Sequence, residues 1–262
     1  MLIAKRQGIT RMTFDNEEEL LKIAAVYPEA DLVLRLRVND EGSSCRFGEK
    51  FGASTEEAIG LITLARNLGF KEILGFSFHV GSGCTQPRLY YDALKMCQEL
   101  SHKCSLRIRL LDLGGGFTAN EELLASIGKE VNRALEEWTS LPLDCEIIAE
   151  PGRYFAETAM TLHVSIIGRH GVDRIYIDDS IYGSFNNIFF DHAAPQPLCS
   201  AKETREVIIY GRTCDSIDKI GTAVIPKEIG VGGRLVFPNM GAYTLAAASS
   251  FNGFTPATVF IE

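Results

Sequence analysis

The stretch IIAEPGRYF (residues 147–155) ends an apolar, strand-type run in a carboxylate, Glu150, and three residues later supplies a guanidinium, Arg153. Arg153 can grip a phosphate in bidentate fashion, and Glu150 can pair with a protonated ring nitrogen of a heteroaromatic ligand. The alternative is a buried Glu–Arg pair that closes the strand end. In LDLGGGF, Gly114, Gly115 and Gly116 follow another apolar run. Glycines there let backbone N–H groups approach an anion, and a helix N-terminus adds a favourable dipole; a tight strand-to-helix turn is the other reading. FSFHVGSGC puts His79 beside Ser82 and two glycines. An imidazole can stack on a flat ligand while the hydroxyl bonds a phosphate oxygen, or the histidine is simply a satisfied core group. YGRTCDSID carries Cys214 next to Asp215; a thiol can act as a general acid or be structural. Asp178 and Asp179 in YIDDSIYGSF could receive an ammonium or make a turn. Tyr243 in NMGAYT could reach a phosphate or sit in a core with its hydroxyl bonded.

Residues of this kind need elements that hold them. MTFD, LVLRLRV, ILGFSFHVG, LRIRLLDLGGG and CEIIAEPG read as five strands. Helical patterns separate them: NEEELLKIAAVYP; STEEAIGLITLARNLG, with Ser54 and Glu57 spaced as a capping box and Gly69 as a stop; residues 87–101; and NEELLASIGKEVNRALEEW. Strand–helix alternation predicts a parallel sheet with helices outside. Chemistry then gathers at the strands' carboxyl ends, where Asp15, His79, Ser82, Asp112, Glu150 and Arg153 fall. Beyond residue 158 the runs TLHVSIIGRHG, RIYIDDSIYGSF, EVIIYGRT, GGRLVFPNMG and ATVFIE predict a second, mainly β domain. The expected division is 1–158 and 159–262.

The chain has 262 residues, 46% apolar content and a formal net charge of −8. That is enough for a sizeable core and argues against a nucleic-acid surface or a polybasic membrane anchor. Seven cysteines form no CxxC pair and no zinc spacing, so reduced thiols, no metal site and a cytoplasmic protein are expected. No signal peptide and no bilayer-length apolar run is read.

The strings MTFD, KFGAS, FSFHVGSGC, LDLGGGF, IIAEPGRYFAETAMTL, YGSFNNIFFDHA, TCDSID and FPNMGAYTLAAASSFNGF occur in order from Met12 to Phe254. In this combination the sequence resembles the eukaryotic-type ornithine decarboxylases, closest to plant-like members, of the alanine-racemase-like fold. The resemblance implies a TIM-type (β/α)8 barrel followed by a β domain, with pyridoxal 5′-phosphate as cofactor. It implies that His79 stacks on the pyridine ring. Ser82, Gly114, Gly115, Gly116, Gly152, Arg153 and Tyr243 hold the phosphate, and Glu150 keeps the pyridine nitrogen protonated. Cys214 protonates the carbanion after carbon dioxide leaves, Asp179 and Asp215 bind the distal ammonium of a diamino acid, and Phe251 packs near the site. A homodimer with shared sites, and antizyme as a further partner, belong to the same implication. Ornithine to putrescine is the expected reaction. Lysine or arginine decarboxylation, or a non-catalytic homologue like the antizyme inhibitors, are the alternatives.

The match has departures. None of the ten lysines lies in the family's FYAVK-like string. The five strands correspond to family strands four to eight, so the chain reads as an incomplete barrel, truncated and inactive alone. Arg212 stands where the family usually has proline, next to Cys214, where it could favour thiolate; Ser180 replaces a usual glycine.

Overall fold

The computed structural model describes residues 1–71 and 73–261. Two compact units divide the chain, Met1–Arg153 and Tyr154–Glu262. The division lies five residues before the sequence-based one, inside a short helix.

In the first unit the chain runs α1 (Leu2–Arg6), β1 (Arg11–Phe14), α2 (Glu17–Val26), β2 (Asp31–Leu36), β3 (Ser43–Cys45), α3 (Thr55–Asn67), β4 (Gly75–Phe78), β5 (Ser82–Cys84), α4 (Arg88–Lys103), β6 (Leu110–Asp112), α5 (Glu121–Glu137), β7 (Glu146–Ile148) and α6 (Gly152–Ala156), which crosses the division. The five expected strands form one sheet in the order β1-β2-β4-β6-β7, every pair parallel. Strands laid down in sequence order, joined by right-handed crossovers, put their helices on one face and curl the sheet into a barrel arc. The curl is strong enough that Arg11 of β1 reaches Glu146 of β7, so side chains of the two outer strands meet. Both are about half exposed, and such a pair adds under about 1 kcal/mol.

Local signals explain the helix starts. Ser54 and Glu57 make both halves of the capping box, and Gly69 takes φ +91° just after α3. Asn16 and Asn120 cap α2 and α5 with one side-chain bond each, from the Glu19 and Leu123 amides, ahead of glutamates that favour the positive end of the helix dipole. The sequence did not reveal the small antiparallel pair β3–β5. Three-residue strands bearing Ser, Gly and Cys carry too little apolar periodicity to be seen.

Gly75 lets β4 and β6 approach: an added Cβ would sit 1.8 Å from the Leu110 carbonyl oxygen. Gly75→Ala is therefore expected to destabilise the protein by about 3 kcal/mol. Gly60→Ala, in open space on α3, should be neutral or stabilising by up to about 1 kcal/mol. Urea melts of the two variants check this.

The second unit contains β8 (Leu162–His170), β9 (Arg174–Ile177), the short α7 (Asn187–Phe190), β10 (Thr204–Tyr210), β11 (Lys219–Pro226) and β12 (Arg234–Phe237). Its sheet order is β11-β10-β9-β8-β12, antiparallel except for β9–β10. Alternating inward residues such as Val207, Ile209, Ala223 and Ile225 build its core with Phe185 and Phe237. Two sequence expectations change here. KIGTAVIP, not among the runs read as β-type, is a full strand, β11; Gly221, at φ +146°, falls where the β10–β11 register shifts. ATVFIE, by contrast, pairs with no strand over residues 257–261, and Val259, Phe260 and Ile261 are exposed. β-type residues make a strand only where an edge and a covered face receive them.

Candidate active site

At the carboxyl ends of the first unit's strands, the glycine triplet makes a cradle with a specific deficit. Its three carbonyls are all taken: Gly114 by the Glu150 amide (2.7 Å), Gly115 by the Tyr90 hydroxyl (2.9 Å) and Gly116 by the Cys84 amide (3.0 Å). The Gly114 amide donates to Asp112 Oδ1 (2.9 Å). Among the described residues no protein acceptor takes the buried amides of Gly115 and Gly116, and the buried Thr118 Oγ1 also lacks a partner. Buried donors of this kind call for an acceptor from outside the chain. The triplet cannot carry side chains: Cβ atoms would lie 2.0 Å from the Phe78 carbonyl at Gly114, 2.7 Å from His79 Nε2 at Gly115 and 2.6 Å from the Gly81 carbonyl at Gly116.

Ser82 and Arg153 converge next. Arg153 Nε and Nη2 donate to Ser82 Oγ at 3.1 and 2.9 Å, with Ser82 buried in β5. Positive φ at Gly81 (+88°) and Gly83 (+69°) makes the tight approach to Ser82 possible. Gly152 opens α6 with space around it. Glu150 is exposed at the end of β7, so the buried Glu–Arg pair considered from the sequence does not occur. The residues present therefore fit pyridoxal 5′-phosphate: hydroxyl, guanidinium and free amides for a phosphate, and a carboxylate for a ring nitrogen.

His79 is held neutral. Burial chiefly, with help from the Arg35 guanidinium and against the pull of Asp40, pushes its imidazole down to about 4. Its Nδ1 accepts from the Gly81 amide (3.0 Å), which puts the ring proton on Nε2, and Phe47 lies 4.8 Å away. The folded value lies below the ordinary 6.5, so the fold loses stability as pH falls from about 6.5 to 4. The ceiling is about 3 kcal/mol, lower because water reaches part of the ring. In His79→Gln the acid limb of a stability–pH curve should flatten over that window; an unchanged limb would refute the neutral assignment.

Two contributors, Arg35 and Asp40, escaped the sequence reading. Arg35 on β2 acts on both His79 and Asp112. Burial, then Glu150, raises the Asp112 carboxyl above its usual range, against the Gly114 amide and Arg35. Asp40 Oδ2 accepts the Phe47 and Gly48 amides and so shapes the loop beside His79. Asp15 anchors the Gly52 amide (2.7 Å), a structural use.

The second unit gathers another group. Cys214 is exposed, and its Sγ accepts from Asn252 Nδ2 at 3.2 Å. Asp215 Oδ2 accepts the Tyr182 hydroxyl (2.5 Å) and Oδ1 the Ile217 amide (3.1 Å). Those two bonds hold its carboxyl below the usual range, while donation to Asp215 pushes the Tyr182 phenol up to about 12. Phe251 stacks on Tyr182 with ring centroids 4.0 Å apart. The loop is fixed from beneath by Asp218, 1% exposed, which accepts the Ile181 and Thr213 amides and the Thr213 hydroxyl. Asp179 is buried, with Oδ1 occupied by the Ser180 and Ser184 amides. That geometry is a turn organiser's, whereas Asp215 is only partly buried. Tyr243 is half exposed, with φ +53°. All seven cysteines are thiols outside any disulfide. Among the described residues no helix is long and apolar enough to cross a membrane.

A sequential parallel barrel arc with an anion cradle at its strand ends, followed by a β unit bearing a thiol and an acid, defines the class: a pyridoxal-type enzyme fold of the alanine-racemase-like kind. Residues 1–157 match the family model for the pyridoxal-dependent decarboxylase, pyridoxal binding domain. The chain belongs to that decarboxylase family. Antizyme inhibitor 2 of Xenopus laevis is 38% identical over 282 residues, covering 98% of this chain and 62% of that protein. A probable ornithine decarboxylase of Dictyostelium discoideum is 38% identical, covering 98% and 60%. The crystal structure of the Paramecium bursaria Chlorella virus arginine decarboxylase bound to agmatine superposes with a TM-score of 0.89 at 34% identity, covering 97% of this chain and 71% of that one. The chain thus spans about three-fifths of the length of the two curated relatives.

Proposed function

We propose that the protein, once supplied with the lysine string that this chain lacks, decarboxylates a basic amino acid with pyridoxal 5′-phosphate, L-ornithine to putrescine first among the candidates, as a cytoplasmic homodimer with shared sites; the chain by itself is inactive. The observation that carries this is the cradle of unaccepted Gly115 and Gly116 amides together with the Ser82–Arg153 pair. When bound, the cofactor supplies an electron sink for the charge left on the α-carbon.

This chain's residues do the rest. Arg153, Ser82 and the glycine amides bind the phosphate, with Gly152 at the turn; Tyr243 is a further phosphate ligand implied by the family resemblance alone. Glu150 keeps a proton on the pyridine nitrogen. His79, neutral, presents an uncharged flat face for stacking. Asp215, braced by Tyr182, receives the distal ammonium; Asp179 supports it through the turn it organises. Phe251 supplies an apolar wall. The bond from the α-carbon to the carboxylate breaks, carbon dioxide leaves, and Cys214 passes its thiol proton to that carbon and is reprotonated by solvent. The exposure of Cys214 supports a role in a neighbouring subunit's site.

The similarity to antizyme inhibitor 2 favours a second reading, a non-catalytic relative that binds antizyme. Release of labelled carbon dioxide from carboxyl-labelled ornithine, lysine and arginine by the protein supplied with the lysine string separates the two. The enzymatic reading expects release, greatest from ornithine. No release from any of the three, with antizyme captured, would establish the second.

A further inference from the structure

Arg212 departs from the family's usual proline, and the structure gives its guanidinium a definite task. Nη2 donates to the Thr255 carbonyl at 2.8 Å, and the guanidinium lies 4.3 Å from the centroid of the Phe254 ring. Its own amide donates to the Asp179 carbonyl (3.1 Å), which ties it to the turn after β9. The side chain therefore straps residues 254–255 to the loop that carries Cys214. Engaged in this way, the guanidinium acts on residues 254–255 rather than directly on the sulfur.

The strapped segment bears on the sulfur. Two residues before Phe254, Asn252 adopts φ +55° and ψ +19° and directs its amide at Cys214 Sγ. Asparagine is among the few residues that adopt this backbone readily, and contacts on both sides of it hold the segment in place. The other end is held as well: the Ser249 amide donates to the Tyr182 carbonyl (2.8 Å), and Phe251 stacks on Tyr182, whose hydroxyl bonds Asp215. Asn252 sits between two anchors, one on Tyr182 and one on Arg212.

We propose that Arg212 is a positioning residue for Cys214: by clamping Phe254 and Thr255 it holds the Asn252 amide on the sulfur and so fixes the orientation and reactivity of that thiol. The importance of this for turnover rests on Cys214 as the proton donor; the clamp itself does not.

The test reads the thiol directly. Iodoacetamide alkylation is followed by peptide mass spectrometry at Cys214, with exposed Cys199 as internal reference and buried Cys97 as a check that the fold is intact. A donor N–H favours thiolate, the form that reacts. Arg212→Ala should slow Cys214 about fivefold relative to Cys199, the size of one modest hydrogen bond. Asn252→Gly, which keeps the positive φ at no steric cost, should slow it equally, and the double variant no further. Arg212→Lys should recover most of the rate. Phe254→Leu provides a second route if Arg212→Ala exposes Cys97, and should reproduce the same slowing. A Cys214 rate unchanged or raised in folded Arg212→Ala or Phe254→Leu, or effects that multiply in the double variant, would overturn the proposal. No turnover is needed, so a protein without decarboxylase activity still gives an answer.

Discussion

Arg153→Ala should weaken binding of pyridoxal 5′-phosphate about 100-fold and leave pyridoxal, which lacks the phosphate, bound as before. The guanidinium directs two N–H donors to one point, where Ser82 Oγ now lies. A phosphate oxygen there would take charge-assisted, bidentate bonds, and losing them costs roughly 3 kcal/mol, which is the stated factor. Ser82→Ala removes one neutral donor and should cost about tenfold or less. The contrast between the two ligands excludes a collapsed cradle, because collapse would weaken both. Isothermal titration of each variant with each ligand measures it.

In the protein supplied with the lysine string, Cys214→Ala should lower turnover about 10²- to 10⁴-fold, the range for loss of a positioned proton donor, while changing cofactor affinity less than twofold. The sulfur belongs to the second unit's cluster with Asn252, Asp215 and Tyr182, whereas Arg153, Ser82 and the glycine triplet belong to the first unit. Product analysis sharpens the test: with the donor gone, the fraction of turnovers that protonate the wrong atom should rise. Equal losses of affinity and turnover would remove the proton-donor role.

What the sequence revealed follows from what each signal depends on. Ser54 and Glu57 announced α3 because a capping box is local, made between residues three apart. The five parallel strands were visible because strands in a sheet covered on both faces read as continuous apolar runs, as Leu32, Val33 and Leu34 do. β11 was hidden because Gly221 interrupts its apolar run and Pro226 ends it, although it pairs with its sequence neighbour β10. The chemistry divides in the same way. His79, Glu150 and Arg153 were legible from residue types at strand ends and from the family resemblance. Arg35 was not, since nothing in DLVLRL says that its guanidinium acts on His79 from a neighbouring strand. Thr118 and Asn252 were missed because one is marked only by a missing partner and the other by backbone conformation. Asp218 looked like one acid among several in CDSID, and only its burial under the Cys214 loop shows its use.

The central claim is that a flat cofactor lies across the strand ends, gripped at its phosphate by Arg153, Ser82 and the glycine amides and at its ring nitrogen by Glu150. A crystal structure of the protein with pyridoxal 5′-phosphate tests it most directly. The expected density places phosphate oxygens within hydrogen-bonding distance of Arg153, Ser82 and the Gly115 and Gly116 amides, with the pyridine nitrogen facing the Glu150 carboxylate. Glu150 and Arg153 joined to each other, with the cofactor bound elsewhere or not at all, would contradict it.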